Sequence, residues 1–138
     1  MATIKEDYVS FETAKLLKEK RFNEPCHATY DTAVTGGKPK FSEYEVLSYF
    51  PYGMKNSDDK YSIVISAPTL QMAMKWLREV HELYIEVSLS CDREDKNAKI
   101  FDASIFNVQN QRYKKLGNIQ GYEQTCETAI KYCLENLI

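Results

Sequence analysis

Few side chains in this chain are of a type and spacing that could do chemistry. There are two histidines and four cysteines. Cys26 and His27 are adjacent, and a thiol beside an imidazole is the raw material of nucleophilic catalysis. The same pair, with His81 and a carboxylate, is also the only combination from which a zinc site could be drawn. Zinc needs three or four convergent ligands. Neighbours on a strand point to opposite faces, and the spacing to His81 supplies no convergence. No catalytic residue, metal ligand or cofactor is therefore assigned. Cys126 and Cys133 stand seven apart in a helical stretch, on one face and about 10 Å from each other, too far for a disulfide. All four cysteines, Cys91 included, read as free thiols of a reducing, cytoplasmic compartment.

The remaining motifs are weak. No nucleophile elbow, S-x-x-K pair, P-loop or dinucleotide fingerprint occurs. Gly36-Gly37 belongs to a turn over Thr35–Pro39. The acidic residues Asp58-Asp59, Asp92 and Glu94-Asp95 fall in loops, where carboxylates solvate easily. Arg112-Tyr113-Lys114-Lys115 joins basic residues to an aromatic, the combination that neutralises phosphates and stacks on bases. As a short loop followed by Glu123 and Glu127, with no basic face around it, it reads as a solvated loop before it reads as a nucleic-acid contact. Trp76, the single tryptophan, lies at the edge of a helical stripe. That position suits either a core residue or an anchor for a protein partner.

The elements that position these residues are organised around Ser66–Ser90. Leu70, Ala73, Met74, Leu77 and Val80 form a helical stripe. After His81, whose place at a helix end suits the macrodipole, the period changes from 3.6 to 2. Ile85, Val87 and Leu89 then point one way and Tyr84, Glu86 and Ser88 the other. Upstream, Ser10 caps a helix from Phe11 to Lys20, Phe22 folds back onto it, and Pro25 ends the segment. Cys26–Val34 reads as a strand, and Phe41–Phe50 as a strand or a helical turn. Pro51–Lys60 is a loop. Tyr61–Ser66 is a strand, central because both of its faces are apolar. Downstream, Cys91–Asn97 is a charged hairpin loop and Ala98–Val108 a return strand with Phe101, Ala103 and Ile105 facing the helices. Phe106 and Val108 break that alternation and suggest a bulge near Ile105. Gln109–Gln120 is a polar connection. A last helix from Gly121 carries Tyr122, Cys126, Ala129, Ile130, Cys133, Leu134 and Leu137 on one stripe.

The resulting order is α-β-β-β-α-β-β-α in a single domain spanning 1–138. Isolated short helices are marginal in water, so each stripe must find a sheet. The expected fold is α+β: a two-layer sandwich of a four- or five-stranded antiparallel sheet with about three helices mainly on one face. The helix–strand–strand–helix tail resembles, in order, the double-stranded-RNA-binding domain without its third strand, an analogy of fold alone.

Composition narrows the function classes. A net charge of -2 from 18 basic and 20 acidic residues gives no overall pull toward nucleic acid or anionic membrane. No window approaches the length of a membrane span, and the N-terminal residues carry acids and no apolar core of a signal peptide. Ten tyrosines are the one compositional excess; they suit half-buried packing or a partner surface.

Three pieces, SFETAKLLKEKRFNEPC, SAPTLQMAMKWLREVHELYIEV and GYEQTCETAIKYCLENLI, occur in that order. Together they resemble a group of small uncharacterised proteins of phages and prophages of Bacteroides-type bacteria. The resemblance implies a cytoplasmic accessory protein with an α+β fold. It implies no activity and places no catalytic residue. The leading expectation is a small non-enzymatic accessory protein that acts through an unknown protein partner or by self-association. Nucleic-acid binding through Arg112–Lys115 and an exposed sheet face is the alternative. An enzyme assembled in space near Cys26 and His27 is the third reading.

Overall fold

A computed structural model describes residues 4–33, 38–43, 53–59, 63–90 and 99–138. The chain divides into two compact units, Met1–Thr69 and Leu70–Ile138. Each is helix and antiparallel sheet, so the protein is α+β. In place of the expected single sheet of four or five strands, the described residues form two three-stranded sheets.

In the first unit, helix α1 (Phe11–Glu19) starts where Ser10 accepts a hydrogen bond from the Thr13 amide at 3.3 Å. It ends on a Schellman motif. Arg21 turns left-handed at φ 68°, its amide donates to the Lys18 carbonyl, and the Phe22 amide reaches back to the Leu17 carbonyl. That geometry folds Phe22 onto the helix, where it is buried with Ala14 and Leu17. Strands β1 (Ala28–Asp31), β2 (Lys40–Glu43) and β3 (Val64–Ser66) pair in the order β2-β1-β3. Among the described residues β1, not the segment ending at Ser66, is therefore the middle strand. Ile63 is exposed, against its expected place on a buried face.

These strands are short, and side chains tie them down. The loop expected at Pro51–Lys60 carries a 3₁₀ turn, Asn56–Asp58. The buried Asn56 amide donates to the Phe22 carbonyl at 2.8 Å, and its oxygen accepts from the Ser66 amide at 2.9 Å. Asp58 accepts from the Lys55 amide, Asp59 from the Val64 amide and Asn23 from the Ser57 amide, each at 2.8 Å. Backbone amides without a ladder partner thus find side-chain acceptors. Phe11, Tyr30, Phe41 and Tyr8 form a chain of tilted and edge-to-face ring contacts, with centroids 5.3–5.6 Å apart.

The second unit is built from longer elements. Helix α2 (Leu70–His81) buries Leu70, Ala73, Trp76 and Leu77. Val80 was expected on this stripe but is 55% exposed. A single residue, Glu82, left-handed at φ 54°, links α2 to β4 (Leu83–Leu89). β4 pairs with β5 (Ile100–Asn107), and β5 with β6 (Arg112–Gln120), all antiparallel. Helix α3 (Tyr122–Asn136) buries Thr125, Cys126, Ala129, Ile130, Cys133 and Leu134. Both helices pack on the sheet face that carries Leu83, Ala103 and Ile105.

Two expectations fail here for one reason. Gln109–Gln120 is not a polar connection: most of it is β6, an edge strand whose lysines suit an unpaired border. Its inward residues, Leu116 and Ile119, lie opposite Ala103 and Phe101. The bulge is not near Ile105, where the β5–β6 register is regular, but at Asp102. There the Asp102 carboxylate accepts from the Asn118 amide at 3.2 Å. Phe106 breaks the inward alternation simply because it faces outward.

Several expectations fall outside the described residues. They are the end of the Cys26–Val34 strand, the Thr35–Gly37 part of the first turn, the strand or helical turn from Tyr44 onward, both ends of the Pro51–Lys60 loop, the start of the Tyr61–Ser66 strand, the Cys91–Asn97 hairpin and the Cys91 thiol.

Candidate functional site

The Cys26–His27 pair does not form a catalytic arrangement. Cys26 sits in an isolated bridge to Met54, with backbone hydrogen bonds of 3.0 and 2.7 Å. The strands approach so closely that a Cβ on Gly53 would lie 2.9 Å from the Cys26 nitrogen, and Gly53 holds φ +85°. The Cys26 thiol is buried and donates to the Glu24 carbonyl at 3.4 Å. Burial, and secondarily the Glu24 charge, push its pKa up to about 12. A thiol so protonated is a small hydrophobe rather than a nucleophile. His27 Nδ1 is buried without a hydrogen-bond partner among the described residues. Among the described residues no three His, Cys, Asp or Glu side chains gather as a metal-binding group.

His81 departs from its sequence-based explanation. A cation at a helix C-terminus would be favoured by the dipole. Instead its Nε2 is buried without a hydrogen-bond partner among the described residues, its ring stands edge-on to Trp76 at 4.7 Å, and burial lowers its pKa. Trp76 itself is 6% exposed. It is a buried residue and presents no anchor to a partner.

The basic run is split by its own secondary structure. Because Arg112-Tyr113-Lys114-Lys115 lies on β6, successive side chains alternate between faces. Lys114 pairs with Ile105 on the helix side, its Nζ 5.7 Å from the centre of the Tyr132 ring of α3. Lys115 lies on the outer face, its Nζ 3.9 Å from Asp102 Oδ2. Arg112 shares the parity of Lys114. No single phosphate-binding patch results.

What the alternation does assemble is an aromatic row on the outer face of the second sheet. Tyr84 of β4 is in register with Phe106 of β5, and Phe106 with Tyr113 of β6. Their exposures are 47%, 41% and 61%. Ser104 Oγ and Tyr113 Oη lie 3.1 Å apart, in hydrogen-bond contact, which holds the Tyr113 ring in place. The next row along the strands is Glu86, Ser104 and Lys115, and the one beyond it Ser88 and Asp102. The face is thus apolar at one end and carries both signs of charge at the other. It can bury rings against a surface and orient that surface by charge. Three outward aromatics in register on adjacent strands are more than scattered exposure of single apolar residues. Of this row the sequence reading singled out only Tyr113. Tyr84 was placed on the wetter face of its strand, and the signal for Phe106 was the broken alternation.

No protein-family model matches the chain, and no curated protein or solved structure matches it.

Proposed function

We propose that this protein is a small non-enzymatic accessory module, of the phage or prophage kind its sequence resembles, that acts by protein–protein interaction through the outer face of β4-β5-β6. The observation that carries the reading is the exposed Tyr84–Phe106–Tyr113 row. Large, rigid aromatics lose little conformational freedom on burial and dominate the energetics of protein interfaces. Glu86 and Asp102 on the same face work against a polyanion and suit a partner surface of mixed charge.

The second reading, nucleic-acid binding, draws support from one observation. With β6 in place the second unit runs α-β-β-β-α, which supplies the third strand of the double-stranded-RNA-binding analogy. The charges do not follow the analogy. The basic run is divided between two faces, and the first turn of α3 carries Glu123 and no lysine.

Affinity capture and sedimentation with the wild type and the double variant Phe106→Ser/Tyr113→Ser test the proposal. Protein association shown by the wild type and lost in the folded double variant is the expected result. Equal association in both overturns it. So does binding of RNA, falling steeply with salt, with no protein retained.

A further inference from the structure

We infer that the occupant of this face is a second copy of the same chain, stacked sheet-to-sheet about a two-fold axis running along β5. The inference rests on the reading of the face as a protein-binding surface and adds the identity of the partner. Its basis is the self-complementarity of the charged row. Glu86 on β4 and Lys115 on β6 flank Ser104 on the middle strand, on opposite sides and in register. Both are exposed.

Two in-plane two-fold axes can bring this face against a copy of itself. An axis across the strands lays β4 on β4 and β6 on β6. Centred on the Ser104 row, it sets Glu86 against Glu86 and Lys115 against Lys115. An axis along β5 exchanges the outer strands. Glu86 then faces Lys115 of the other copy, Lys115 faces its Glu86, and both pairs form at once by symmetry. The same operation lays the aromatic row on its own counterpart, Phe106 at the axis and each Tyr84 across from a Tyr113. Face-to-face sheets pack about 10 Å apart with interdigitating side chains, a gap that rings of this size fill from both sides.

Asp102 also lies on β5, near the axis, and would meet its own copy. Its carboxylate is turned into its own sheet, toward the Asn118 amide and Lys115, which reduces that repulsion. The face is about 14 Å by 23 Å, from three strands about 4.8 Å apart and seven residues at about 3.3 Å each. That is about 320 Å² on each copy, below the roughly 800 Å² per partner of a standard interface, so the dimer is weak, transient and concentration-dependent.

The experiment is sedimentation velocity across a micromolar concentration series, for the wild type, Glu86→Lys, Lys115→Glu, the charge-swapped double variant and Phe106→Ser, each checked for folding by circular dichroism. The wild type dimerises. Each single charge variant associates about tenfold more weakly, the scale expected when two exposed pairs turn from attraction to repulsion. The charge-swapped variant recovers, and Phe106→Ser abolishes the dimer. A wild type that stays monomeric overturns self-pairing, as does a dimer insensitive to the charges or one that the swap does not restore. If a monomeric wild type still retains another protein in a Phe106-dependent way, only the identity of the partner falls. If Phe106→Ser alters no association of any kind, the reading of the face falls with it.

Discussion

The two sheets of this protein are held in different ways. In the first unit the strands have four, four and three residues. Ladder bonds this few are supplemented by side chains that reach across the chain: Asn56 to Phe22 and Ser66, Asn23 to Ser57, Tyr30 Oη to the Val9 carbonyl at 2.7 Å. In the second unit the strands have seven, eight and nine residues, and long ladders, broken only at the Asp102 bulge among the described residues, leave most side chains free to divide between a helix face and an outer face. Short strands spend their polar side chains on their own backbone. Long strands release a whole face for something else. The proposed interaction surface accordingly lies on the sheet whose backbone needs the least help.

That contrast can be broken at its strongest point by Trp76→Ala. Removing the largest buried side chain of α2 should lower stability by about 3–5 kcal/mol in chemical denaturation; an unchanged midpoint would show that the second unit does not depend on this burial. Asn56→Ala probes the other side. It strands the Phe22 carbonyl and the Ser66 amide, at a cost of roughly 2–4 kcal/mol. Hydrogen exchange should show protection lost first at Ser66. A variant as stable as the wild type would mean that the short strands hold without their side-chain ties. Ser10→Ala removes the cap of α1 and should cost about 1 kcal/mol, read from the same denaturation curves.

The smallest effect is one of pH. Burial lowers the His81 pKa below its ordinary 6.5, so the folded state binds fewer protons than the unfolded one. Its contribution is complete above about pH 6.5 and declines as pH falls through the window below. His81→Gln should flatten the slope of stability between pH 7 and 5. A slope unchanged in that variant would locate the acid sensitivity elsewhere.

How much was legible in the sequence follows the same division. α1 with its Ser10 cap, α2, α3 and the inward faces of β4 and β5 are written as local periodicity, and they form, though Val80, Leu89 and Tyr122 of the expected stripes are exposed. The Cys126–Cys133 face is buried, and among the described residues neither thiol is in a disulfide. The ties of the first unit were not legible, because Asn56, Asp58 and Asp59 carry the composition of a solvated loop whether or not they bond to a distant amide. β6 was missed because an edge strand with one wet face and a lysine-rich border has little hydrophobic alternation to show. That omission hid the candidate site. With Arg112–Lys115 taken as a loop, the four residues read as one patch; on a strand they separate, and Tyr113 joins Phe106 and Tyr84 instead.

The single-residue joint at Glu82 makes the arrangement sensitive to insertion. Between a helix end and the first residue of β4 there is no slack to absorb an added residue. With α2 fixed by its buried stripe, one residue inserted there would shift β4 by one position and turn every side chain over. Tyr84 and Glu86 would be delivered to the helices, and Leu83, Ile85 and Val87 to solvent. The same insertion in the Val108–Gln111 turn, where all four residues are exposed, could be taken up in the loop. A chain of this design can lengthen at its hairpin tip and not at its helix-to-strand joint.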